Sequence, residues 1–206
     1  MSGGAQAAAE RGHVYAMLSS VFRRPLDERR LEILRAPDML AAMQAAGIDP
    51  GEDFATAETA DLLDRLAIEY TRLFHGPGDH ISLYEGMLAD GDDSLRGKAC
   101  DEVRSFMADI GFSVPPETGE LPDHVSVELA FLAELCKREA DALASGDGSA
   151  AEFARCMESK FLSAHPGRWT RRFADRVRRR AELPFYASMA EFLHDFVGDD
   201  EKRRAA

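Results

Sequence analysis

Apolar residues recur along most of the chain at steps of three and four, and nowhere do they alternate cleanly at every second position. The first spacing lines one face of a helix and the second would line one face of a strand, so the pattern predicts helices alone. Val14, Met17, Leu18 and Val21 form the stripe of a first helix over roughly 7–22, which Pro25 stops. A short helix follows Asp27, with Leu31 and Leu34 inward, and a third spans roughly 38–46 and ends at Gly47 as an αL cap. Thr56 reads as the N-cap of a fourth helix carrying Leu62, Leu63, Leu66, Tyr70, Leu73 and Phe74, ended by Gly76-Pro77-Gly78. Residues 79–93 read as loop or broken helix, and 95–110 as a helix with Val103, Phe106, Met107 and Ile110 on one face. Four more helices are expected near 123–143, 150–163, 168–181 and 184–197, and the polar end at 198–206 is expected to fray.

Pro115, Pro116, Gly119 and Pro122 make 112–122 the strongest linker signal. The expected fold is therefore all-α: a single compact multi-helix bundle of about nine helices in two lobes. The N-terminal lobe would cover about 7–111, the Pro/Gly-rich hinge 112–122 and the C-terminal lobe 123–197.

Charge narrows the function. The formal net charge is -12 over 206 residues. Nucleic-acid binders draw affinity from Lys and Arg neutralising phosphates, so DNA and RNA are set aside as partners. A basic partner suits the field better. The arginine run Arg171, Arg172, Arg176, Arg178, Arg179 and Arg180 reads as a solvated helix face paired within this acidic chain. Three cysteines, Cys100, Cys136 and Cys156, stand far apart without a CxxC, which fits small buried residues in a reducing cytoplasm. The N-terminus lacks the pattern of a secretory signal, and the longest weakly polar run, Met39 to Ile48, falls short of the roughly 20 residues a membrane span needs. A cytoplasmic protein without stable membrane insertion is expected.

No phosphate loop, dinucleotide fingerprint, HExxH or nucleophile elbow is present, so neither an enzyme nor a cofactor is expected. His75 and His80 with Asp79 or Asp123 lack tight ligand spacing, and no metal is expected. Four places carry other chemistry. Glu69 shares its helix face with Leu62, Leu66 and Leu73, and a carboxylate so placed needs donors. The backbone N–H groups of the following glycine loop are the expected ones. In Pro122-Asp123-His124-Val125-Ser126-Val127-Glu128, Asp123 is placed to cap a helix and His124 and Glu128 stand four apart, within hydrogen-bond reach. That cluster reads equally as a capped helix start or as an acid and an imidazole shown to a ligand. The loop Ile81-Ser82-Leu83-Tyr84-Glu85-Gly86 mixes an aromatic, apolar residues and a carboxylate, as recognition surfaces do. The last place is His165-Pro166-Gly167-Arg168-Trp169, with the sole tryptophan.

In this order and at these separations, the four places resemble the TorD/DmsD/NarJ family of redox-enzyme maturation chaperones. Its first hallmark is met by Glu69, Leu73, Phe74 and Pro77, and its second by Pro122, Asp123, His124, Val125 and Glu128. The Pro184-Phe185-Tyr186 opening of the last helix is also similar. Members often carry tryptophans in the loop after Phe74; Tyr84 stands there in this chain. The resemblance implies a chaperone that binds the twin-arginine signal peptide of a molybdoenzyme precursor, of the dimethyl-sulfoxide-reductase type, and delays its export until the cofactor is inserted. It places Asp123, His124, Leu73, Phe74, Pro77, Tyr84, Glu85 and Pro122 at or near the peptide groove, with Glu69 and Glu128 in support. The translocase is a further candidate partner, and monomer and domain-swapped dimer stay open. The alternative is a helical assembly adaptor for a non-exported molybdoenzyme subunit of the nitrate-reductase type.

Overall fold

The computed structural model describes residues 3–76, 78–89, 97–114 and 119–205. Among these residues the chain is helical throughout, without strands. Its ten helices are α1 (Gly3–Arg23), α2 (Glu28–Arg35), α3 (Pro37–Ala45), α4 (Thr59–Phe74), α5 (Glu85–Ala89), α6 (Lys98–Asp109), α7 (Val125–Ser145), α8 (Gly148–Ala164), α9 (Pro166–Arg180) and α10 (Pro184–Ala205). The element beyond the expected nine is α5, one short turn of helix inside the stretch read as loop.

Local chemistry explains most boundaries. Asp27 caps α2 by accepting the N–H of Arg30 at 2.9 Å. Gly47 and Gly111 stop α3 and α6 with φ of +73° and +72°, a conformation open to glycine. The cap of α4 is Glu58 and not Thr56: its carboxylate accepts the N–H of Asp61 at 2.8 Å. At α7 the cap is His124 in place of Asp123, with Nδ1 accepting the Ser126 N–H at 3.1 Å.

The chain forms two compact units, each assembled from separated stretches. Unit 1 comprises residues 1–23, 83–169 and 197–206, and unit 2 comprises 24–82 and 170–196. The expected linker 112–122 falls within unit 1, and its residues 115–118 lie outside the described set.

In unit 1, α1 lies against α7. Gly12 permits this approach, since a Cβ there would meet Cys136 Cβ at 3.2 Å and the Ala133 carbonyl at 3.3 Å. Phe131, Phe161 and Phe106 pack edge to face, with Phe131 and Phe161 centroids 4.7 Å apart. The end of α10 does not fray as expected. Asp200 is 1% exposed; it accepts the Tyr15 hydroxyl at 2.8 Å and pairs with Arg11 Nε at 3.3 Å. Arg11 also pairs with Glu139 and Glu158. These buried acids hold the tail in place, although its surface is polar in sequence.

In unit 2, Phe54 stacks on Phe185 at 5.3 Å, and Arg35 clamps the 54–57 turn through the carbonyls of Phe54 and Ala57. The arginine run of α9 is partly neutralised within the chain: Arg180 pairs with Asp79, and Arg178 with Asp175 and Glu191.

Candidate functional site

Two segments of unit 1, 83–85 and 123–125, run side by side. Val125 N–H donates to the Leu83 carbonyl at 2.7 Å, and Glu85 N–H donates to the Asp123 carbonyl at 2.9 Å. This is the sole isolated β-bridge among the described residues, pairing Tyr84 with His124 in antiparallel sense. It brings the recognition-like loop onto the start of α7. The Tyr84 ring meets the His124 ring edge to face at 5.0 Å. Tyr84 donates its hydroxyl to Glu120 Oε2 at 2.8 Å, and burial, then that bond, pushes its phenol well up. His124 spends Nδ1 on Ser126, and its Nε2 faces the same Glu120 oxygen at 3.8 Å. Ser126 in turn receives Ser19 of α1, which donates to its carbonyl at 2.7 Å.

Behind this edge lies a cluster of buried acids. Glu85, Asp123 and Glu128 are at most 2% exposed, and each has one carboxyl oxygen without a hydrogen-bond partner. His165, at the α8–α9 junction, places Nδ1 2.8 Å from Glu85 Oε2. Trp169 donates its indole N–H to Glu128 Oε2 at 3.0 Å. Glu85 thus has one imidazole partner and Glu128 one indole donor. Burial first, and then the neighbouring Glu85, hold the Glu128 carboxyl well above its usual range. Burial also raises Asp123, which accepts from the Gly86 backbone and the Cys100 thiol. Glu85 and Glu128 also face each other, an arrangement of two buried carboxyl groups that favours a proton on the pair. This is a proton-holding joint that ties the starts of α5, α7 and α9 together.

The sequence-picked residues divide between the units. Tyr84, Glu85, Pro122, Asp123, His124 and Glu128 gather in unit 1; Pro122 is buried and Tyr84 is half-buried. Leu73, Phe74 and Glu69 belong to unit 2, and Pro77 lies outside the described residues. Phe74 packs on Tyr70, Phe173 and Tyr186, and the Leu73 carbonyl accepts the Ile81 N–H at 2.8 Å. Glu69 is an acceptor, as expected, but for a different turn. Its Oε1 takes the N–H groups of Glu182 and Leu183 at 2.6 and 3.2 Å, and its Oε2 takes Arg72 at 2.7 Å. It therefore holds the α9–α10 turn in place of the glycine loop after α4. The expected His124–Glu128 link also differs, with His124 turned to Ser126 and Glu120 while Glu128 meets Trp169 and Glu85.

Sequence reasoning missed the pairing of Glu120 with Tyr84 and His124 and the roles of His165 and Trp169. Glu120 carried no periodic signal, although it stands four residues before His124. His165 and Trp169 were marked by their composition, but their partners are 80 and 41 positions away. No group of three or more His, Cys, Asp or Glu among the described residues is arranged to hold a metal ion. No described helix is long and apolar enough to cross a membrane.

The family described as nitrate reductase delta subunit matches residues 36–175. Chaperone protein TorD of Vibrio parahaemolyticus is 26% identical over 198 residues, covering 91% of this chain and 91% of its own length. Chaperone protein TorD of Aliivibrio salmonicida is 23% identical over 209 residues, covering 94% of each. A solved structure of a proposed redox enzyme maturation protein from Archaeoglobus fulgidus superposes with a TM-score of 0.55 at 21% identity, covering 91% of this chain and 93% of that one. That likeness is one of fold.

Proposed function

The chain belongs to the nitrate reductase delta subunit family, the TorD/DmsD/NarJ group of redox-enzyme maturation chaperones, and on that premise we propose that it binds the twin-arginine signal peptide of a molybdoenzyme precursor and delays export until the cofactor is inserted. It is a maturation chaperone and not an enzyme. The observation that carries the finer reading is the bridge of Tyr84 to His124, which joins the recognition-like loop to the second sequence hallmark along a half-exposed edge backed by acids. A twin-arginine signal has a basic start and an apolar helical stretch, so a groove for it needs carboxylates for the guanidinium groups and an apolar wall. Glu120 and Tyr84 supply the reachable part of that edge. Asp123 and His124, each 2% exposed, serve it by holding Tyr84 and Glu120 in position. Pro122 and Glu85 shape the same segment, whereas Leu73 and Phe74 are buried within unit 2. Action in the cytoplasm follows from this reading, since the precursor is held before export. The translocase is a further candidate partner, and monomer and domain-swapped dimer are both compatible with the same proposal.

Calorimetric titration with synthetic N-terminal signals of the source organism's molybdoenzymes tests it. Micromolar or tighter binding to one signal is expected, weakened when the apolar stretch is scrambled or the paired arginines become lysines. Absence of binding to every signal would favour the second reading, an adaptor for a non-exported subunit, toward which the family's description points. Whole-enzyme pull-downs would then identify the client.

A further inference from the structure

The acid joint and the Tyr84 edge are two faces of one backbone bridge. Tyr84 and His124 form the bridged pair, and their rings meet on one side. Glu85 and Asp123 are the adjoining residues, and the alternation of extended backbone turns them to the other side, where both are at most 2% exposed. Glu85 belongs to both faces. Its N–H closes the bridge on the Asp123 carbonyl at 2.9 Å, and its carboxyl group enters the joint.

The joint is short of positive charge. Its acids are Glu128 of α7, Asp123 of the preceding turn and Glu85 of α5. From the α8–α9 junction His165 meets Glu85, and from α9 the Trp169 indole meets Glu128. The Cys100 thiol of α6 and the Gly86 N–H meet Asp123. Of these partners only the imidazole can carry a positive charge. Arg104 of α6 reaches the Cys100 sulfur at 3.2 Å and pairs with Asp101. On α1, Ser19 meets the Ser126 carbonyl, and Arg11 is taken by Glu139, Glu158 and Asp200. On the outer face Tyr84 and His124 turn to Glu120. Each of the three acids also has one buried oxygen without a hydrogen-bond partner. Three carboxyl groups sealed from water with one imidazole cannot all ionise, so the joint keeps a proton. The raised Glu128 carboxyl, facing Glu85, agrees with this.

We propose that this proton is a latch on the edge: its loss to solvent releases the 83–89 segment from the start of α7 and lowers the affinity for the signal peptide. The link to the peptide rests on the chaperone reading, whereas the release of the bridge does not. Without the proton, Glu85 and Glu128 face each other as two carboxylates, and relief requires one of them to reach water. Glu128 sits in the 21-residue α7, against which α1 packs, whereas Glu85 opens α5, a helix of five residues. The Glu85 side therefore moves, and the bridge N–H and Tyr84 move with it. The closed form holds the proton and the open form gives it up, so the edge is intact at low pH and is lost as pH rises through the titration of the joint.

Hydrogen exchange of the Glu85 and Val125 amides, the two donors of the bridge, tests the latch in the full-length protein. Protection relative to the free-chain rate at each pH should fall at least about tenfold between about pH 6 and about pH 9 in the wild type, while amides in the middle of α8 keep theirs. Glu128→Gln should flatten that profile, and Glu85→Gln is the second variant should the first not fold. Calorimetry with an N-acetylated paired-arginine signal covers the same range. The Kd should rise at least about fivefold in the wild type and much less in Glu128→Gln. Groups on the edge itself are common to both proteins, so the comparison isolates the joint. Wild-type protection that does not change with pH, or a variant profile as steep as the wild type, overturns the latch. Loss of protection at unchanged affinity overturns its link to the client. If no signal binds the wild type at any pH, the chaperone reading fails and exchange alone decides the latch.

Discussion

Trp169 donates its indole N–H to Glu128 across 3.0 Å, linking two places that are 41 positions apart and separately marked in the sequence. The tryptophan is wholly buried and the acid has no exposed surface. Replacing Trp169 with Phe keeps an aromatic ring but removes the donor from a carboxyl group that cannot reach water. The expected loss is about 1–3 kcal/mol, read as a lower urea midpoint at unchanged helicity. An unaltered midpoint would mean that the bond contributes nothing net.

The acid joint makes stability depend on pH in a direction opposite to that of an ordinary salt bridge. Burial and Glu85 raise the folded Glu128 carboxyl above the 4.5 it has when unfolded. The native state therefore keeps a proton that the unfolded chain releases. That contribution is complete below pH about 4.5 and is lost as pH rises through the folded value. Asp123, also raised, acts in the same direction. Glu128→Gln retains an acceptor for Trp169 and a donor for Glu85 without titrating. Urea midpoints between pH 5 and 9 should fall more steeply for wild type than for the variant, and parallel curves would remove Glu128 as the cause.

Glu69 anchors the turn between α9 and α10 by accepting two backbone N–H groups. Glu69→Ala leaves both without an acceptor and releases Arg72, for an expected loss of about 1–3 kcal/mol. Glu69→Gln keeps the Oε1 acceptor and should recover part of the loss. Thermal melting of the two variants separates the roles, since equal melting of both would assign the whole effect to the charge facing Arg72.

The tail of α10 is expected to matter as much as any core segment. Asp200→Ala removes the acceptor of the buried Tyr15 hydroxyl and one of the three carboxylates around Arg11, leaving Glu139 and Glu158 to carry the cation. A cost of roughly 3 kcal/mol is expected, well above a surface substitution. Asp199→Ala, next door and exposed, should change the melting temperature little.

The helices were legible because each carries a periodic apolar stripe with a cap or a breaker at its end. The Leu62, Leu66, Tyr70, Leu73 face of α4 and the Phe185, Met189, Leu193 face of α10 are buried as their spacing predicts. What was not legible is what a polar residue meets across the fold. Glu69 was correctly read as an acceptor, but its donors stand 113 and 114 positions away, and nothing local pointed past the nearby glycine loop. Asp200 sat in a run that reads as solvated, and only Tyr15 and Arg11 explain its burial. Helix α5 failed for a different reason. At five residues it is too short to show a period, and its first residue is set by a backbone bond to Asp123. Asp123 and His124 were expected at a groove surface; the small turn at 121–124 instead turns both inward.

The tie between Tyr15 and Asp200 also sets an order of events in synthesis. Tyr15 is synthesised 185 residues before the carboxylate that completes it, and Arg11 earlier still. Until then α1 can settle on α7 but cannot close its far end, so unit 1 stays an unfinished intermediate while the middle of the chain is made. Contacts of such separation form late because the loop they close is long. Interrupting translation before residue 200 should therefore leave a helical but easily proteolysed product, and residues added after it would test how tightly the last turn must seat.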